Sequence, residues 1–187
     1  VGTLNVNGVR SKQVDLRYLL ENRRIGCLAL QETLLRAADW NLNIPGYHCY
    51  ARCGERTAST RGVALLLSKS ESGYQVGRSS PWSIFVRCTG TQLAQPWIVA
   101  SVYVPSGKSE GATPMKKIQE QVKALREEFS DDAMAIMGDW NRTRCQVARF
   151  VRAVDPEFEV LEPVAGGRVD TRGTRRRSDR TIDHIAV

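Results

Sequence analysis

The stretch Ala133-Met134-Ala135-Ile136-Met137-Gly138-Asp139-Trp140-Asn141 decides how the rest of the chain is read. Five apolar residues without a break, too few for a helix, predict a strand buried on both faces over residues 133–137. The run stops at a glycine, and an acid, a tryptophan and an amide follow at once. Polar residues placed where a buried strand ends are the usual material of a site in an α/β protein, because such ends open at one edge of the core.

Working outward, Thr113-Pro114 supplies a cap residue and a proline suited to the first helical position, and Met115, Ile118, Val122, Leu125 and Phe129 follow at spacings of three and four. This predicts a helix starting there, with one apolar stripe turned to a sheet. Val147, Phe150, Val151 and Val154 predict a second helix, and weaker strand signals follow at 157–161, 169–171 and 181–187. Toward the N-terminus, residues 2–6 form an apolar stretch that ends in the turn signal Asn7-Gly8. Val14, Leu16, Leu19 and Leu20 predict an amphipathic helix within 11–24, and residues 25–30 a buried strand. Strands are also predicted over 47–52, 62–68, 82–88 and 97–104. Many strands with few helices point to an α/β sandwich of mixed sheets with the helices outside, rather than a regular βαβ repeat. With no repeat, low-complexity segment or long linker, residues 1–187 read as a single domain.

The 187 residues are 42% hydrophobic and 25% charged, a composition that excludes a disordered chain and supplies a core without a disulfide or metal staple. The longest apolar runs, such as 63–67, are far shorter than the ~20 residues that span a bilayer, so no membrane partner is expected. Five cysteines at 27, 49, 53, 88 and 145 are odd in number and scattered, which fits a reduced, intracellular protein. His48, Cys49 and Cys53 lack a fourth partner at zinc spacing, and the two cysteines read as buried thiols on a strand. Twenty-seven Lys and Arg against twenty Asp and Glu leave a net charge of +7. That charge suits an anionic partner such as nucleic acid, or simply a solvated surface.

Polar residues interrupt apolar strands at four places: Asn5 in Leu4-Asn5-Val6-Asn7-Gly8, Glu32 in Leu30-Gln31-Glu32-Thr33, Tyr103 in Val102-Tyr103-Val104-Pro105, and Asp139 with Asn141 in the opening stretch. Taken singly, each has a structural reading as turn former, helix cap, strand residue or tight turn. Their order, completed by Arg180-Thr181-Ile182-Asp183-His184-Ile185, resembles the endonuclease/exonuclease/phosphatase superfamily over nearly the whole chain. Within it, Leu4 to Ser11, the strand Gly62-Val63-Ala64-Leu65-Leu66-Leu67 and Ile182-Asp183-His184-Ile185 are most similar to the endonuclease domain of LINE-type non-LTR retrotransposons.

The resemblance implies a four-layer sandwich of two packed β-sheets flanked by helices, with a site at one end. It makes Glu32 the principal Mg²⁺ ligand, with Mn²⁺ as a substitute, and places Asn5 beside it in the metal shell. Asp139 would orient or deprotonate the attacking water, Asn141 would bond the scissile phosphate, Tyr103 would place its hydroxyl near that phosphate, and Asp183 would support the network. Thr171 would help shape the nucleic-acid surface. The same resemblance implies a final Ser-Asp-His strand that this sequence does not reach, so the expectation is a domain cut short before it. His184 belongs to a different motif and is expected on the opposite side of its strand from Asp183.

These residue types suit the chemistry. Phosphodiester hydrolysis needs a cation against the charge growing on the phosphoryl oxygens, and Mg²⁺ takes one or two carboxylates plus waters. A carboxylate such as Asp139 can take the proton of the attacking water. If residues 139–141 are extended, Asp139 and Asn141 share one face. The arginines 172, 175, 176, 177 and 180 read either as a solvated loop or as a grip on flanking phosphates; Arg172, Arg175, Arg176, Arg177 and Arg180 would then be joined by Arg10, Lys12 and Arg142 on the rim. The expectation is a Mg²⁺-dependent nuclease, nuclear or otherwise intracellular, that nicks duplex DNA and leaves a 3′-hydroxyl, with a reverse transcriptase on the same polypeptide. The rivals are an abasic-site repair endonuclease, a phosphoesterase acting on another anion, and a binding module that has lost catalysis.

Overall fold

The computed structural model describes residues 1–36, 42–53, 61–90, 94–161 and 183–187, the side chains of 108–111 and 183 excepted. The strand runs that lack polar–apolar alternation are buried on both faces, and this sets the architecture. β1 (Gly2–Asn5) is followed by a 3-10 turn (Arg10–Lys12) and α1 (Gln13–Arg23), then β2 (Cys27–Gln31), β3 (Tyr47–Arg52) and β4 (Val63–Ser68). β5 (Gly73–Ser80), β6 (Ser83–Cys88) and β7 (Trp97–Tyr103) lead into α2 (Lys108–Glu128), β8 (Ala133–Asp139), α3 (Arg144–Arg152) and β9 (Asp183–Ala186).

Among the described residues the strands form two sheets, ordered β1-β2-β4-β3 and β5-β6-β7-β8-β9. Only β1 with β2 and β7 with β8 run parallel; each pair needs a crossover, which α1 and α2 supply. The pleat divides the core into three layers. Leu28 and Leu30 pack with Leu16 and Leu20 of α1 on one outer face. Ile98, Ala100, Val102, Met134 and Ile136 pack with Ile118, Val122 and Leu125 of α2 and Val147 and Val151 of α3 on the other. Between the sheets, Cys27, Ala29, Leu65 and Leu67 meet Ile84, Val86, Val99, Ala135 and Met137. This is the expected four-layer α/β sandwich.

Several local expectations are corrected. α2 begins at Lys108, after Gly107 in extended conformation, so Pro114 lies inside the helix and not at its first position. The anchored stripe from Ile118 onward holds the helix despite the backbone hydrogen bond that proline forgoes. Val14 is exposed, because it lies about 200° around the helix from Leu16, which with Leu20 fills the buried stripe. β5 was not anticipated: it has two glycines, buries Val76 alone among its residues and carries a register shift between Val76 and Ser80, all of which blur a strand signal. Residues 157–161 contribute only an isolated bridge, Val160 to Ala186. The strand expected at 169–171 lies outside the described residues. No helix among the described residues is long and apolar enough to cross a membrane.

Candidate active site

The polar strand ends gather at one end of the sandwich. Asn5 is the register partner of Gln31, Tyr103 of Asp139, and Asp139 of Asp183. β1 lies over β8 and β9, and β2 over β7, so the two sheets bring these positions face to face. Within the five-stranded sheet, Gly138 lets β8 lie close against β7 beside the site. A Cβ there would fall 2.0 Å from the Val102 carbonyl oxygen of the neighbouring strand.

At this end a side-chain hydrogen bond ties β1 of one sheet to β8 of the other. Asn5 Nδ2 donates to Asp139 Oδ2 at 2.7 Å, while Asn5 Oδ1 accepts from the Asn7 N–H at 3.1 Å. The two contacts fix the amide's orientation, since the reverse would aim an oxygen at a carboxylate. Asp139 is fully buried, and its other oxygen accepts the Asn141 N–H at 3.1 Å. The stretch 139–141 is therefore a turn and not extended: Asn141 has φ 44°, and its Nδ2 donates to the Val104 carbonyl at 3.0 Å.

Glu32 has φ 53° and is largely buried. The backbone holds it from two sides: Gly8 N–H donates to the Glu32 carbonyl at 2.7 Å, and Thr33 N–H donates to the Gly62 carbonyl at 3.2 Å. Asn7 (φ 41°), Glu32, Leu34 (φ 52°) and Asn141 are non-glycine residues in the left-handed region. Such positions cost on the order of 1–3 kcal/mol each and cluster where a structure fixes a functional geometry. The Tyr103 hydroxyl donates to Glu32, and its pKa is pushed up to about 12, first by burial and then by the charge of Glu32. The phenol therefore stays protonated, and a donor, at neutral pH.

Arg61, which the sequence reading missed, completes this cluster. Its NH1 donates to Glu32 Oε2 at 2.6 Å, and the contact raises the pKa of the guanidinium. The available signal was topological: β2 pairs antiparallel with β4 in the register Gln31 to Val63, which sets the residues entering β4 beside those leaving β2. Beneath the site, buried polar groups bridge the layers. Thr3 Oγ1 donates to Gln31 Oε1 at 3.1 Å, Gln31 Nε2 to Ser101 Oγ at 3.1 Å, and Ser101 Oγ to the Leu30 carbonyl at 3.0 Å.

The remaining candidates are placed unevenly. Arg10 is exposed on the 3-10 turn. Lys12 Nζ donates to the Val6 carbonyl, and Arg142 NH1 to the Asn141 carbonyl at 2.9 Å, so both brace the turns that carry Asn5 and Asn141. The backbone of Asp183 stands opposite Asp139 in the β8–β9 register. Thr171, Arg172, Arg175, Arg176, Arg177 and Arg180 lie outside the described residues. His184 Nε2 lies 3.1 Å from the Arg142 carbonyl oxygen, bracing the same turn.

The candidate donors for a divalent cation are the carboxylate of Glu32 and the amide oxygen of Asn5. Among the described residues no group of three or more His, Cys, Asp and Glu comes together, so neither a zinc centre nor an all-protein cage is present there. Glu32 nevertheless fits a cation such as Mg²⁺, which takes few protein ligands: it is a mostly buried carboxylate that already holds a positive group. Burial pushes the Cys27 thiol up to about 12 and the Cys49 thiol up to about 11, as expected of inert core cysteines.

The fold is two mixed sheets packed face to face between helices. No protein-family model and no curated protein sequence matches the chain. Solved structures do. Zebrafish (D. rerio) TDP2 complexed with single-strand DNA product is similar with a TM-score of 0.66 at 14% identity, over 99% of this chain and 81% of that one. The Neisseria 3′ phosphatase NExo bound to product DNA hairpin gives 0.63 at 17%, over 99% and 84%. The human Nocturnin catalytic domain with bound sulfate anion gives 0.64 at 10%, over 98% and 79%.

Proposed function

We propose that the protein is a divalent-metal-dependent phosphodiesterase that nicks duplex DNA and leaves a 3′-hydroxyl. The observation that carries this reading is the Asn5–Asp139 hydrogen bond, which unites the two halves of the polar cluster across the sheets. Glu32 and Asn5 would hold Mg²⁺, with Mn²⁺ as a substitute; when bound, the ion neutralises charge developing on the phosphoryl oxygens. Asp139, oriented by Asn5 and by the Asn141 N–H, accepts the proton of the attacking water. Tyr103 directs a hydroxyl donor into the cluster, Asn141 offers its amide to the phosphate, and Asp183 completes the network from the adjoining register position. Arg10 on the rim and the arginines of 172–180 grip flanking phosphates.

Solved proteins of this fold that hold a DNA product support a nucleic-acid substrate. The finer reading is the target-nicking domain of a LINE-type retrotransposon, with a reverse transcriptase on the same polypeptide; the motifs at 4–11, 62–67 and 182–185 support it. Supercoiled plasmid tests the central claim. Open circles should form with Mg²⁺ and not with chelator, whereas salt-sensitive binding without nicking in either condition would make the protein a binding module.

A further inference from the structure

Arg61 occupies the carboxylate on which the proposed reaction depends. Its side chain is 42% exposed against 12% for that of Glu32, so the guanidinium closes the mouth of the cluster from the solvent side. Its position is built into the backbone. The Leu34 N–H bonds the Arg61 carbonyl at 2.9 Å, the Thr33 N–H bonds the Gly62 carbonyl, and Gly62, with φ 77°, turns the chain into β4 immediately after Arg61. A carboxylate offers about four lone-pair sites, of which Arg61 and Tyr103 already use two. A guanidinium and a divalent cation want the same oxygens and repel each other. Once displaced, the guanidinium is left at the solvent mouth, and its planar fork matches the geometry of a phosphate.

We propose that Arg61 is a charge placeholder: it neutralises Glu32 until a divalent cation takes the carboxylate, and then passes to a phosphate of the nucleic acid, so that metal and DNA bind cooperatively. This rests on the nuclease reading of Glu32. By linkage, the cation strengthens DNA binding by the same factor as DNA strengthens binding of the cation, and Arg61 carries part of that factor.

Calorimetric titration with Mn²⁺ in the absence of DNA provides the first test. Arg61→Ala should bind Mn²⁺ about threefold to tenfold more tightly than the wild type, because no ion pair has to be broken. Equal or weaker binding overturns the proposal. The second test uses the wild-type protein and does not depend on a variant's folding. The ¹⁵N-arginine side-chain resonance that Arg61→Ala removes should move at Mg²⁺ saturation toward its position in Glu32→Gln; a resonance that stays in place overturns the placeholder. In the third, Mg²⁺ should strengthen binding of a short phosphorothioate duplex to the wild type more than to Arg61→Ala, and an equal gain overturns the coupling. A wild type that takes up no Mn²⁺, or one that titrates identically to Glu32→Gln, would remove the nuclease reading itself. Glu32-dependent binding that ignores Arg61 removes only the placeholder.

Discussion

The space between the two sheets has two unlike ends. At one, Cys27, Leu65, Leu67, Val86, Cys88 and Val99 make a buried apolar layer. At the other, the same inward-facing rows of the same strands continue as Gln31, Ser101, Tyr103 and Asp139, met by Thr3 and Asn5, and here the groups are tied by hydrogen bonds. The backbone follows much the same division: Asn7, Glu32, Leu34 and Asn141 take left-handed conformations at the polar end, while Arg24, also left-handed, caps the C-terminus of α1. One end supplies cohesion, and the other uses it to hold buried polar groups and strained turns in place. A sandwich can carry such a cluster because the desolvation penalty falls on groups that are hydrogen-bonded in pairs.

If this division holds, changes at the two ends should separate activity from stability. The largest effect is expected for Glu32→Ala: metal-stimulated nicking should fall by at least about a hundredfold, and Mg²⁺ should no longer strengthen duplex binding. Retention of full activity would take Glu32 out of its role. Leu65→Ala, at the apolar end, should cost about 2–5 kcal/mol in denaturant unfolding yet leave the turnover of the remaining folded protein intact. Loss of turnover without loss of stability would show that the two ends are not separable. Ser101→Ala removes a bridge below the site and leaves Gln31 Nε2 short of an acceptor, for a cost of about 1–3 kcal/mol with a small loss of turnover.

The smallest effect concerns Tyr103. Its folded-state pKa is raised from 10 to about 12, so the unfolded chain gives up this proton first as pH rises. The stabilisation from the neutral phenol is complete below about pH 10 and disappears as pH climbs to about 12. Chemical unfolding at pH 8 and at pH 11 should show a steeper loss for the wild type than for Tyr103→Phe, whereas parallel losses would place the phenol in an ordinary solvated setting.

The sequence made the candidate site partly legible because strand ends leave a pattern: an apolar run broken by a polar residue. Asn5, Glu32, Tyr103 and Asp139 were all found in this way, and the fold brings their strands to one end. Arg61 leaves no such pattern. It precedes its strand, and only the pairing register shows that it faces Glu32. Pro114 misled for a related reason, since a cap signal is local whereas the helix start was set by the turn at Gly107. The turn at Asn141 replaced an extended segment because Asp139 Oδ1 captures the next turn's N–H, a tertiary consequence of burying that carboxylate.

The bond between Asn5 and Asp139 spans 134 positions of sequence. While the ribosome is still making the chain, the first partner has emerged long before the second exists. A half-made polypeptide therefore cannot assemble this cluster, because Asn5 meets the carboxylate of Asp139 only once β8 has been made. Closing so distant a contact also predicts slow folding, with the polar end among the last parts to form.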